Sequence, residues 1–375
     1  MRVCYFGTYR GRYSRNAIMI ESLRRNGVEV VECHQELWTD VEDRVQAASG
    51  GWRRPAFWAR VLRTYARLLK QYRTIGPYDI LLVGYPGQFD VFLARLLSWR
   101  RRRPLAWDVF MSIYLIAVER GLAERSPLTI RALRWLERWA CRLPDRLILD
   151  TAEYVAWFGR VHGVPPARFG LVPTGADSRI YRPMPCPRAA DGSLSVVYYG
   201  TFIPNHGVEH IVEAARLLSA QPAIRFRLIG DGPERPKAQE LAQRYGLTNV
   251  EFSGWLEPAG LVQEIACADV LLGAFGVTPQ SLMTVQNKVY EGLAMARPVI
   301  TGASPAVEAA LRHGEEVYVC RRADGADLAR AIQRLCDDSA LRRRLAEQGH
   351  RRFLVEYDLQ ALGRRYLACL EDLAG

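Results

Sequence analysis

A chain of 375 residues is long enough for two domains of ordinary size, and 49% hydrophobic with 24% charged residues excludes a disordered polymer. The net charge of +11 is lopsided: residues 1–190 hold 31 Lys and Arg against 17 Asp and Glu, the remainder 20 against 23, and eight of the nine Trp fall in the first part. Arg with Trp suits an anionic membrane surface or nucleic acid, but no nucleic-acid-binding motif accompanies the charge, so nucleic acid is not expected as a partner.

The longest apolar run, residues 109–118, is far short of the roughly 20 residues that span a bilayer. Residues 2–6 give way at once to Gly7 and a basic polar loop, so no signal peptide is expected at this start. The eight cysteines are scattered singly without a CxxC pair, which predicts a reduced, cytoplasmic protein with no zinc site. His206 and His210 stand four apart without an HExxH frame, and no metal site is expected there.

In chain order, residues 2–6 read as a short buried strand, 7–16 as a glycine-containing loop and 17–25 as a helix. This is the first unit of a doubly wound sheet, in which ligands gather at the carboxyl ends of the strands. The loop lacks GxGxxG, so no dinucleotide cofactor is indicated. Its Arg10, Arg12 and Arg15 either supply charge to an anionic ligand or form a solvated basic loop. After a second strand at 28–33, residues 51–73 place Trp58, Val61, Leu62, Tyr65, Leu68, Leu69 and Tyr72 on one helical side. Arg60, Arg63, Arg67, Lys70 and Arg73 flank it, with no acid. That pattern fits an interfacial membrane helix, and it also fits an amphipathic helix packed on the sheet.

Further strands at 79–83, 105–107 and 146–149 alternate with helical stretches. The four-Arg turn 100–103 is either solvated or faces anionic lipid, where each charge adds about 1 kcal/mol. Asp108 stands just past its strand, where an α/β site places a reacting side chain; it also reads as the cap of the next helix. Asp150-Thr151-Ala152-Glu153 has the form of a capping box, a structural role. Residues 183–192 are Pro-rich and aperiodic, which makes them a linker.

The second half restarts the pattern with an apolar strand at 194–199 that ends in Gly200-Thr201-Phe202-Ile203-Pro204-Asn205-His206-Gly207. Small residues at a strand end let a phosphate approach the backbone, and His206 reads either as a phosphate contact or as a surface histidine. Strands at 226–229, 250–256 and 268–273 follow, the first running into Gly230-Asp231-Gly232-Pro233. Residues 341–373 read as helix with a break near Tyr357-Asp358. Leu362, Tyr366, Cys369, Leu370 and Leu373 form an apolar side at its end.

Residues 286–301 combine a short helix with a buried strand. Val289, Leu293 and Ala296 share one helical face, Pro298 stops the helix, and Val299-Ile300 reads as sheet interior. Asn287, Lys288 and Glu291 stand toward the first turn, where unpaired N–H groups and the helix dipole favour an anion such as a diphosphate. The alternative is a solvated face with an N-terminal cap.

Asn287-Lys288, Glu291-Gly292-Leu293-Ala294-Met295-Ala296 and Arg297-Pro298-Val299-Ile300 resemble the donor-site helix of the retaining GT-B-fold glycosyltransferases of family 4. The resemblance covers nearly all of the chain from Gly200 onward and the first half more weakly. It implies an α/β architecture of two doubly wound Rossmann-like domains facing across a cleft, with a C-terminal helix crossing back to the first. Residues 1–185 would bind the acceptor, 193–357 the nucleotide-sugar, and 358–375 form the returning helix. The resemblance also implies that Glu291 holds ribose hydroxyls and that the loop carrying Gly7 and Arg12 faces the donor diphosphate. Gly200, Thr201 and His206 would form the phosphate turn, Gly230 and Gly232 a turn beside the nucleotide, and backbone near Trp255 the seat of the base. Three positions depart from the family pattern. A second Glu eight residues before Glu291 is here Met283, and two usual phosphate cations are here Thr201 and His206, so Lys288 or the basic first loop must supply that charge. Where the family often carries a His against the donor sugar, the nearest polar residues are Asp108 and Ser112.

The expectation is therefore a retaining glycosyltransferase that uses a nucleotide-diphosphate sugar, with no covalently bound cofactor and no required metal. No carboxylate pair demands a covalent glycosyl intermediate; Asn287 and Lys288 would stabilise the leaving diphosphate while the acceptor hydroxyl attacks from the same face. The basic, Trp-rich first half points to a peripheral enzyme at the inner face of the membrane, acting on a lipid-linked glycan in cell-surface polysaccharide synthesis. A soluble acceptor such as a natural product, a hydrolysing or epimerising enzyme on nucleotide-sugars, and a catalytically silent glycan- or membrane-binding protein are the alternatives.

Overall fold

Near-continuous apolar runs that end at glycine or a polar turn set the architecture, because a strand covered by helices on both faces has no solvent side to alternate toward. The computed structural model describes residues 1–11, 13–37, 55–186 and 192–374. They fall into two units, Met1–Pro173 with Leu359–Gly375, and Thr174–Asp358.

In the first unit β1 (Arg2–Gly7), β2 (Glu29–His34), β3 (Ile80–Val83), β4 (Leu105–Asp108), β5 (Arg146–Leu149) and β6 (Phe169–Leu171) form one parallel sheet, ordered β2-β1-β3-β4-β5-β6. Between them run α1 (Ser14–Arg25), α2 (Pro55–Thr74), α3 (Asp90–Arg101), α4 (Ile113–Glu119), α5 (Leu122–Arg125), α6 (Pro127–Ala140) and α7 (Ala152–His162). Thr151 caps α7 by accepting from Tyr154 N–H, the structural role read from the capping box. On α2 the buried residues are Thr64, Leu68 and Tyr72, whereas Trp58 and Leu62 from the same expected apolar side face solvent.

The second unit repeats the plan. It contains β7 (Leu194–Tyr199), α8 (Val208–Leu217), β8 (Ile224–Ile229), α9 (Arg235–Arg244), β9 (Val250–Ser253), α10 (Pro258–Ala266) and β10 (Val270–Leu272). Then come α11 (Pro279–Met283), α12 (Asn287–Ala294), β11 (Val299–Gly302), α13 (Pro305–Ala310), β12 (Tyr318–Cys320), α14 (Gly325–Asp337) and α15 (Ser339–Glu356). Its parallel sheet is ordered β12-β11-β10-β7-β8-β9. Residues 174–185, read from sequence as part of the first domain, pack here instead. Ala176 is buried in this unit's core, with Tyr181 and Met184 against it.

The last helix, α16 (Leu359–Ala374), belongs to the first unit, where Leu359, Leu362, Tyr366 and Leu370 share a core with Met19 and Leu23 of α1. Burying such side chains contributes about 1.5–3 kcal/mol each, enough to hold a terminal helix in place. Among the described residues no helix is long and apolar enough to cross a membrane.

The expectation that all eight cysteines are reduced is corrected at one pair. Cys186 and Cys267 are disulfide-bonded across 81 residues of chain, with Cα atoms 4.8 Å apart. Their sequence spacing carried no signal because the contact is made by folding. Cys4, Cys33, Cys141, Cys320, Cys336 and Cys369 are free thiols.

Candidate functional site

The second sheet reverses its winding between β7 and β10, with β8 and β9 to one side and β11 and β12 to the other. Loops leaving the carboxyl ends of two such strands diverge, and α/β sheets bind ligands at that point. The two loops here are fastened together: Phe275 N–H, after β10, donates to the His206 carbonyl, after β7, at 2.9 Å.

Four expected residues meet there. Lys288, in the first turn of α12, lies 4.2 Å over the Tyr198 ring and has Nζ 3.3 Å from His206 Nδ1. A Cβ placed on Gly200 would come within 2.9 Å of the same Nζ, so the ammonium sits against the end of β7. His206 Nδ1 is 2.6 Å from the Thr201 carbonyl, which can only accept, so Nδ1 carries the proton and Nε2 is left as an acceptor. Thr201 thus contributes through its backbone, while its side chain is exposed. Burial, with the neighbouring Lys288 and Arg322 charges, pushes the His206 pKa well below its ordinary value. Burial also pushes Lys288 down to about 7, against the pull of Glu291. Two N–H groups facing each other at 3.3 Å favour the neutral amine for the same reason.

One turn along α12, the Glu291 carboxylate accepts from the Tyr199 hydroxyl at 2.7 Å and from Tyr181. Burial raises its pKa, opposed by those hydroxyls and Lys288. No side chain caps α12, whose N-cap is Gln286; the Val289 N–H of its first turn donates to the Gln286 carbonyl at 2.9 Å, and the positive end of the helix dipole lies beside Lys288. Asn287 is in that turn. Gly230 and Gly232 have φ of +127° and +150°, and a Cβ on them would strike Gly200 O at 2.2 Å and Phe202 O at 2.6 Å. They bring the β8 turn against the β7 turn, which only glycine permits.

Other expected residues take no part in these contacts. Trp255 is 56% exposed on the turn after β9, and none of the contacts joining Gly200, His206, Lys288 and Glu291 involves it. Met283 is buried at the end of α11 and supplies no charge. Arg12 lies outside the described residues. Gly7 is in the first unit, packed within 2.8 Å of Asp90 Oδ2 if given a Cβ. Asp108 requires correction as the cap of the next helix. It is wholly buried with Arg15, whose Nε is 2.9 Å from Oδ2 and Nη2 3.1 Å from Oδ1. The next helix, α4, is capped by Ser112. The same pairing corrects Arg15, which is no part of a solvated loop.

Sequence reasoning missed Arg322. Its Nε donates to Ala303 O at 2.7 Å and its Nη1 to Gly276 O at 2.8 Å, while Nη2 is buried without a protein partner. Burial lowers its pKa to about 10, and its charge still acts on His206. An Arg pair after a short strand reads like any solvated turn, and its neighbour Arg321 is one. Tyr181 and Tyr199 were missed as well, since only the fold aims their hydroxyls at Glu291. Among the described residues no group of three His, Cys, Asp or Glu could hold a metal ion.

Two doubly wound parallel sheets of this order define an α/β protein of the GT-B type. Two family models match the chain: the glycosyl transferase 4-like domain over residues 11–175 and glycosyl transferases group 1 over residues 193–338. The chain belongs to the group 1 glycosyltransferases. It is 30% identical over 176 residues to the lipopolysaccharide core biosynthesis glycosyltransferase LpsE of Rhizobium meliloti, covering 47% of this chain and 49% of that protein. LpsD of the same organism, also a lipopolysaccharide core biosynthesis glycosyltransferase, is 27% identical over 306 residues, or 76% of this chain and 82% of that one. Among solved structures, Anabaena HepE in complex with UDP-glucose superposes with a TM-score of 0.69 at 16% identity, covering both chains in full.

Proposed function

We propose that the protein transfers a glycosyl group, with retention, from a nucleotide-diphosphate sugar to a hydroxyl of a lipid-linked glycan. In this reading the unit Thr174–Asp358 binds the donor, and Met1–Pro173 with Leu359–Gly375 binds the acceptor at the inner face of a membrane. The observation that carries it is the buried Lys288 side chain in the first turn of α12, one turn from Glu291, where an arriving diphosphate would restore its charge. In this reading Asn287 and Lys288 at the amino end of α12 take the diphosphate where Gly200 lets it approach the end of β7, His206 positions Lys288, and Glu291 takes the ribose hydroxyls. The names of two relatives in lipopolysaccharide core synthesis and the UDP-glucose bound by HepE support glycan and donor classes respectively.

In the transfer the bond from the anomeric carbon to the diphosphate oxygen breaks and a bond from that carbon to the acceptor oxygen forms on the same face. The acceptor proton passes to the departing diphosphate. Charge on that oxygen grows as the bond breaks, which is where a fixed cation and helix N–H groups lower the barrier.

The test is release of nucleoside diphosphate from a panel of nucleotide-sugars, with and without a lipid-linked oligosaccharide, and with anomeric configuration of the product read by NMR. Acceptor-dependent release that persists in EDTA is expected, because Lys288 and α12 supply the positive charge. Release without acceptor would indicate a hydrolase or epimerase, and no release with any donor a silent binding protein.

Binding also carries a proton signature. Free Lys288 is mostly neutral at pH 8, and a diphosphate beside it favours the ammonium, so donor binding takes up close to one proton at pH 8 and far fewer at pH 6. Calorimetry of the active donor in buffers of different ionisation enthalpy measures this, and an uptake of zero at pH 8 would remove Lys288 from the site.

A further inference from the structure

The outer face of the first unit has a composition that the donor chemistry does not use. The strand order sends the β2-to-β3, β3-to-β4 and β4-to-β5 crossovers in one direction, and right-handed connections then lay α2, α3 and α6 side by side on the same face of the sheet. Contacts join them: Tyr65 of α2 donates to Asp90 of α3 at 2.6 Å, Arg101 of α3 stacks on Tyr72 of α2, and Gln88 before α3 donates to Glu137 of α6 at 3.3 Å.

The crests of these helices, turned away from the sheet, are apolar. Leu62 is 69% exposed on α2, Trp99 62% on α3, and Leu128 and Trp135 76% and 63% on α6. Phe89, Leu96 and Trp139 extend the same stripes at spacings of three, four and seven residues. Half of the large apolar side chains that stand exposed among the described residues are on these three helices and the turn before α3. Lone exposed apolar residues are ordinary, but three adjacent stripes are not.

Charge identifies what covers them. The three helices carry eleven Lys and Arg and two acids, Asp90 and Glu137, both buried and hydrogen-bonded. Arg63, Arg67, Arg100, Arg131, Arg134 and Arg138 border the stripes, and none of the three helices carries an exposed carboxylate. A second copy would bring the same positive face. A nucleic acid would leave Leu62, Leu96 and Leu128 without partners on a phosphate surface. An anionic bilayer matches both parts: aliphatic tips enter the acyl boundary, Trp rings sit at headgroup depth, and Arg meets phosphate.

We infer that the α2–α3–α6 face docks on an anionic lipid surface. This deepens the proposed action on a lipid-linked acceptor and rests on that reading for its biological use, but vesicle binding needs neither donor nor acceptor, so either can fail alone. Flotation with phosphatidylcholine vesicles, with or without about a third phosphatidylglycerol, tests it. Wild type is expected to float with the anionic vesicles and to be released by 0.5 M salt only in part, roughly as screened Arg contacts loosen while inserted Trp and Leu hold. Leu96→Glu with Trp135→Glu, both on solvent-facing positions, is expected to weaken binding at least about tenfold with circular dichroism unchanged. Binding by wild type that ignores anionic lipid, a double variant that floats like wild type, or a concentration-dependent dimer abolished by the double variant would each overturn the inference.

Discussion

Lys288→Met is expected to lower kcat about 100- to 1,000-fold, the loss typical when a donor aimed at developing charge is removed, while the melting temperature holds or rises. Methionine keeps the aliphatic stem over Tyr198 but cannot meet the diphosphate as its negative charge grows. Stability does not suffer because the folded state disfavours this ammonium, whose pKa falls to about 7 from an ordinary 10.5. Between those two values the unfolded chain holds a proton that the folded chain lacks, so wild-type stability increases with pH across that window and the penalty is complete below about 7. The variant should lose that slope. Glu291→Gln should behave differently: in the proposed role its hydrogen bond to a ribose hydroxyl is made before and during transfer, so its loss, about 1.5–3 kcal/mol, appears in the donor KM with a smaller change in kcat. Steady-state kinetics with thermal unfolding separate the two. Equal kinetics for wild type and both variants would mean that α12 does not floor the donor site.

Local pattern made some of this legible before the fold was known. Strands announced themselves as apolar runs closed by glycine, and Lys288 with Glu291 stood out because their spacing put both toward one helix end. What stayed hidden depends on contacts between distant segments. Arg15 and Asp108 are 93 residues apart, Cys186 and Cys267 81 apart, and Arg322 reaches Gly276 from 46 residues away. Periodicity reports which side of an element is apolar, never which remote residue it meets. On α2 even that report was too broad, since the apolar side spanned a sheet-facing stripe at Thr64, Leu68 and Tyr72 and a second, exposed one at Trp58 and Leu62. The sequence left a membrane helix and a sheet-packed helix open for the whole side, because an apolar helix side gives no sign of having two different neighbours.

Asp108→Ala is expected to destabilise the first unit by about 3–5 kcal/mol, the cost of stranding a buried charge, because Arg15 then retains only the Val172 and Pro173 carbonyls. Eight of the nine Trp precede residue 174, so urea unfolding followed by Trp fluorescence reports on this unit. The loss should depend on pH through a second buried acid. Asp150 also acts on Arg15, and burial raises its pKa to about 7. At pH 8 it is ionised and partly replaces the missing carboxylate; at a pH low enough to protonate it, which in the variant lies below the wild-type value because Asp108 no longer raises it, it cannot, so the loss should be larger there. Asp150→Asn in the same background should remove the difference and give the larger loss at both pH values. A catalytic Asp108 predicts the reverse: Asp108→Asn would abolish transfer and leave the urea midpoint where it was. That outcome would mean the carboxylate leaves Arg15 during turnover, and the buried pair would then be a resting arrangement instead of a fixed strut between β4 and α1.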